Sequence, residues 1–142
     1  MAQNILKPPE AVKQYLNTTK ERLDVEDAWQ INNQPWANGK VNKTRAYMVQ
    51  TGITPEDIKQ IVKELSVKNY CYTRDDCNVN FPNEQVWIFG ITKNIIDQNE
   101  DLYVKLKLRT LDDELLLILS FHPEQPERSE DKLQFPYSNY TN

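Results

Sequence analysis

Between Leu102 and His122 apolar and polar residues alternate in a way that a two-stranded antiparallel hairpin accommodates best. Leu102, Val104, Leu106 and Leu108 are separated by Tyr103, Lys105, Lys107 and Arg109. A strand turns successive side chains to opposite faces, so this segment has one apolar and one cationic face. A second apolar run, Leu115 to His122, follows a link containing Asp112-Asp113. With a two-residue loop at Leu111-Asp112, the commonest hairpin length, Leu115, Leu117, Leu119 and Phe121 join the apolar face. Glu114, Leu116, Ile118, Ser120 and His122 join the cationic one. Tyr103 then faces Ser120 and lies diagonal to His122. A four-residue loop preserves these faces, whereas an odd loop exchanges them on the second strand.

The apolar face needs cover, and the preceding sequence supplies helices. Thr54-Pro55-Glu56-Asp57 is a helix start: a capping hydroxyl, a proline suited to the first position, and acids at the positive end. Ile58, Ile61, Val62 and Leu65 follow as an apolar stripe. A helix from Pro9 to about Arg22 presents Val12, Tyr15, Leu16 and Leu23, and a short one from about Thr44 to Thr51 ends at Gly52. Residues 24 to 42 read as a loop, broken by Asn32-Asn33, Pro35 and Asn38-Gly39 and anchored by Trp29 and Trp36. Gln85 to Ile91 reads as a further strand, and Thr92 to Glu100 as a polar link. Helices followed by an antiparallel meander predict an α+β fold, with N-terminal helices on one face of a small antiparallel sheet. A single domain is expected over residues 1–122, with helices across about 9–65 and the sheet across about 85–122. Residues 123–142 form a Pro-rich acidic tail of disordered composition, although Phe135, Tyr137 and Tyr140 give it docking groups.

The chain carries a net charge of −4 and is 27% charged, so nucleic-acid binding requires a local basic surface. No basic region precedes an apolar run at the N-terminus, and no segment has the apolar length of a membrane span. A cytoplasmic protein without membrane contact is expected, with Cys71 and Cys77 reduced rather than bridged. One histidine and this cysteine spacing do not match a zinc pattern, so no metal or cofactor is expected. With only three glycines, no phosphate-cradling loop is present.

The cationic face holds the chemistry. Histidine titrates near neutral pH and serves as base or acid. His122 shares that face with the Tyr103 hydroxyl and with Lys105, Lys107 and Arg109. Metal-free RNA cleavage needs a base for the 2′-hydroxyl, an acid for the leaving oxygen and cations for the phosphorane. Tyr72 and Arg74, interleaved before Asp75-Asp76, suit base stacking and phosphate contact. Each group also has a plain structural role: a solvated strand-end histidine, lysines that discourage edge pairing, and an arginine paired with its neighbouring acids.

From Ile53 to His122 the chain resembles the MqsR family of type II toxins. The resemblance rests on Glu64-Leu65-Ser66-Val67, Asn69-Tyr70, Val86-Trp87, Leu102-Tyr103-Val104-Lys105-Leu106-Lys107 and Leu119-Ser120-Phe121-His122. It implies a RelE-like fold, metal-independent endoribonuclease activity on mRNA, and a cognate antitoxin partner. Tyr103 occupies the family's functional tyrosine in its Tyr-x-Lys strand motif. His122 stands where better-studied members have lysine, Ile88 where they have glutamine, and Cys71 or Tyr72 where they have a second lysine. His122 and Tyr103 are therefore the expected catalytic pair, with Lys105, Arg74, Tyr72 and Lys107 binding substrate. The rival expectation is a non-catalytic protein-binding or inhibitor protein of a phage or mobile element on the same scaffold.

Overall fold

Among the described residues three α-helices form, each opened by a proline, a side-chain cap or both. In the computed structural model, which describes residues 4–32, 42–76, 84–109, 115–124 and 132–141, α1 spans Pro9–Leu23, α2 Lys43–Thr51 and α3 Pro55–Lys63. Thr54 closes a capping box, its side chain accepting from the Asp57 amide while Asp57 accepts from the Thr54 amide. That arrangement satisfies two otherwise orphaned donors. Asn42 caps α2 through the Thr44 and Arg45 amides, and Gly52 ends it at φ 76°, a left-handed conformation that glycine adopts without strain.

The strands are β1 Trp29–Ile31, β2 Tyr70–Asp75, β3 Gln85–Ile95, β4 Gln98–Arg109 and β5 Leu115–Pro123. They form one sheet of order β1-β5-β4-β3-β2. All pairs are antiparallel except β1 with β5, so the α+β architecture carries a mixed sheet rather than the expected all-antiparallel one. Trp29 therefore lies in a strand, not in the loop read from the sequence. Trp36 lies outside the described residues. Residues 92–95 and 98–100 are likewise strand rather than link, because β3 and β4 are joined by a two-residue turn at Ile96 and Asp97.

Both turn residues have positive φ, 51° and 63°. This sign pattern matches the right-handed twist of a hairpin but strains a β-branched side chain. Ile96 is exposed and loses little packing on replacement. Ile96→Asn is accordingly expected to raise stability by about 1 kcal/mol, read as a higher urea midpoint at constant m.

The helices share one core with one face of the sheet. Val12, Leu16 and Leu23 of α1 and Ile58, Ile61 and Val62 of α3 pack with Tyr70, Trp87, Phe89, Val104, Leu106, Leu116, Ile118 and Phe121. The β5 contribution corrects the face expected for Leu115, Leu117 and Leu119. Arg109 pairs with Leu115 and Leu106 with Ile118, so Leu116 and Ile118 point to the core. A bulge at Leu119 then shifts the register, and Lys105 pairs with Ser120, Val104 with Phe121 and Tyr103 with His122. One extra residue reverses the side-chain parity. Phe121 is thereby returned to the core and His122 to the opposite face.

Candidate functional site

The face away from the helices collects side chains from four strands. Tyr72 and Arg74 come from β2, Ile88 from β3, Tyr103, Lys105 and Lys107 from β4, and His122 from β5. Tyr72 pairs with Ile88, Ile88 with Lys105, and Lys105 with Ser120. One rung along, Gly90 pairs with Tyr103 and Tyr103 with His122. All six residues expected from the sequence thus share one face, although β2 was not foreseen as a strand.

Tyr103 and His122 are closer than the expected diagonal. Their rings stack with centroids 5.4 Å apart and planes 18° from parallel. Tyr103 and Tyr72 pack against the same small apolar cluster. Burial raises the Tyr103 hydroxyl far above its ordinary value, with the Tyr72 hydroxyl adding to this and Arg74 opposing it. It therefore remains a protonated donor across the physiological range.

Burial holds the His122 imidazole below its ordinary 6.5, and Lys43 and Lys105 push the same way against a hydrogen bond to the Pro123 carbonyl. That bond joins Nδ1 to the carbonyl oxygen at 2.9 Å. A carbonyl only accepts, so Nδ1 carries the proton and Nε2 keeps its lone pair. A neutral imidazole with a basic Nε2 is what general-base chemistry requires. Lys43 sits at the start of α2, which flanks β5 beyond the end of β1. There the Phe121 amide donates to the Thr44 hydroxyl at 2.9 Å instead of to a further strand.

The three β4 cations part company. Lys105 is partly buried, and burial with Arg74 and Lys107 nearby lowers its pKa against the pull of Asp76. Lys107 is only 3% exposed. Its ammonium pairs with Asp76 and, at 2.8 Å, with Glu84. Arg109 Nε lies 3.4 Å from the other Glu84 oxygen. Lys107 and Arg109 thus join the ends of β2, β3 and β4, while Lys105 and Arg74 supply the positive charge near Tyr103.

Apolar residues complete the face. Cys71, Val86, Ile88 and Leu133 form a small second core against Tyr72, Tyr103 and Leu119. Cys71 is a buried free thiol, pushed up to about 12 by burial and by Glu124. Cys77 and Asp112-Asp113 lie outside the described residues. Among the described residues no group of three or more His, Cys, Asp or Glu could hold a metal.

Leu133 and Phe135 of the C-terminal segment reach this face, while its Tyr137 and Tyr140 pack on the helix-side core, a placement the sequence reading left open. The Leu133 amide donates to Glu124 at 2.5 Å. Leu133 and Phe135 lie over Gly90, where an added Cβ would stand 2.8 Å from the Phe135 ring. Tyr137 then stacks on Tyr70 at 5.9 Å and donates to the Lys7 carbonyl at 2.7 Å. Glycine inside a strand often marks such a close approach, and Gly90 was the available signal. No described helix is long and apolar enough to cross a membrane. No family model, curated protein or solved structure matches the chain.

Proposed function

We propose that this face is the active site of a metal-independent endoribonuclease, the toxin of a type II toxin-antitoxin pair with a RelE-like arrangement, cleaving mRNA in the cytoplasm. The carrying observation is the stacked Tyr103–His122 pair, with Nε2 of a neutral imidazole free and Lys105 and Arg74 on the same face. His122 Nε2 takes the 2′-hydroxyl proton as the 2′-oxygen attacks the adjacent phosphorus. The bond from phosphorus to the 5′-oxygen breaks, and that oxygen leaves with a proton supplied from the Tyr103 hydroxyl. Lys105 and Arg74 stabilise the charge gathered on the phosphorane, the kind of electrostatic assistance that carries much of such catalysis. The products are a 2′,3′-cyclic phosphate and a 5′-hydroxyl. A neutralising antitoxin is the partner this role calls for.

Purified protein incubated with single-stranded RNA in EDTA tests this directly. Cleavage with those two end groups is the expected result. Metal-dependent ends, or intact RNA at protein concentrations above those that arrest growth, would remove the nuclease assignment. The second reading, a non-catalytic protein-binding surface, is favoured by the net charge of −4 and by the exposed Phe135 beside the cations. It predicts intact RNA and stable capture of a protein partner through the same face.

A further inference from the structure

Beside the Tyr103–His122 pair the C-terminal segment leaves a cleft of ≈ 660 Å³ between itself, β2 and the N-terminal segment. This size lies within the usual range for ligand sites. Its walls are chemically uneven. Arg74 of β2 and Lys132 of the C-terminal segment provide the cations, Tyr72 and Phe135 the rings, and Leu6 and Leu133 further apolar surface. Phe135 is 39% exposed and Lys132 is exposed, so both are open to a ligand. Tyr72 joins this cleft to the pair, because it lines the cleft and packs with Tyr103 against the same small apolar cluster.

Two cations and two ring faces fit a phosphate joined to a planar base, and stacking with backbone charge is how single strands are held without sequence readout. We propose that the cleft is a subsite for the nucleotide of a single-stranded RNA next to the scissile phosphate. Phe135 and Tyr72 stack its base and Lys132 binds its phosphate, while Arg74 lines the cleft on the side of the scissile phosphate. This assignment rests on reading the adjoining face as an RNA site. The C-terminal segment is then part of the substrate site rather than a passive cover. Its placement depends on Gly90, since any Cβ there displaces Phe135 and Leu133.

The test separates binding from cleavage. Affinity is measured by fluorescence anisotropy for a labelled ten-residue 2′-O-methyl oligonucleotide, which lacks the attacking hydroxyl, across a salt series. Phe135→Ala is expected to weaken binding about tenfold or more. Lys132→Gln is expected to weaken it and to flatten the slope of log K against log salt by about 0.7, the share of one single-strand phosphate. Lys13→Gln on exposed α1 is the control with the same charge change. Gly90→Ala, which pushes the Phe135 ring and the Leu133 side chain aside, is expected to weaken binding. Wild-type affinity in both Lys132→Gln and Phe135→Ala would overturn the subsite, even if RNA is still cleaved. So would a wild-type protein that binds no oligonucleotide, or one that binds adenosine or uridine monophosphate as tightly as the strand. Binding that depends on Lys132 and Phe135 without any cleavage of ordinary RNA would support the subsite and remove the nuclease assignment alone.

Discussion

His122→Ala is expected to lower kcat/KM for RNA cleavage by about 10²–10⁴-fold, the usual worth of a positioned proton-transfer group. The imidazole is half-buried on the sheet face and its neighbour Phe121 carries the core packing, so the variant should remain folded. Tyr103→Phe preserves the stacked ring and removes only the hydroxyl. Its loss should also be about 10²–10⁴-fold, because the hydroxyl supplies the proton to the leaving 5′-oxygen.

The pH dependence follows from the directions of the two shifts. Burial lowers the pKa of His122, so the base is already neutral at pH 7. The rate should be flat there and fall only on acidification below about 6.5, the ordinary histidine value. Burial raises Tyr103, so no alkaline loss is expected from its ionisation below about pH 10. The acid limb should disappear in whatever residual activity His122→Ala retains. Cleavage at the wild-type rate by this variant, with the acid limb intact, would show that another group moves the proton.

How much of this was legible depended on whether local pattern or long-range pairing set each element. The capping box at Thr54 and the stripe of Ile58, Ile61 and Val62 are local, and α3 forms where they place it. β1 has three residues and no period of its own, and it exists because Trp29, Gln30 and Ile31 pair with Leu116, Leu117 and Ile118 far along the chain. The β3–β4 turn carries no glycine, so its strained Ile96-Asp97 gave no signal. The Leu119 bulge left no mark either, because every residue from Leu115 to Leu119 is apolar. His122 still falls beside Tyr103 because the five residues between Arg109 and Leu115 reverse parity once and the bulge reverses it again. The alternation of β4 gave its cations correctly as a group. It could not rank them, since the acids that distinguish Lys107 from Lys105 lie just beyond β2 and just before β3.

Lys107→Met is expected to destabilise the protein by about 3–5 kcal/mol, because it leaves Glu84 and Asp76 without their buried counter-charge. For a chain of this size that is a fall in Tm of roughly 10 °C or more. Glu84 is itself buried, and among the described residues its remaining ion pair is the longer contact with Arg109, so its carboxylate is then poorly compensated. Adding Glu84→Gln to Lys107→Met removes that charge and should recover part of the lost stability, giving a positive coupling in the double-mutant cycle. Below its Tm the single variant should still cleave RNA, since the Lys107 ammonium is engaged within the fold. Lys105→Met should show the reverse pattern: a small change in Tm and a large loss of cleavage. Two lysines two positions apart on one strand thus divide stability from chemistry. A Lys107→Met protein of unchanged Tm that no longer cleaves RNA would instead place Lys107 among the groups that meet the phosphate.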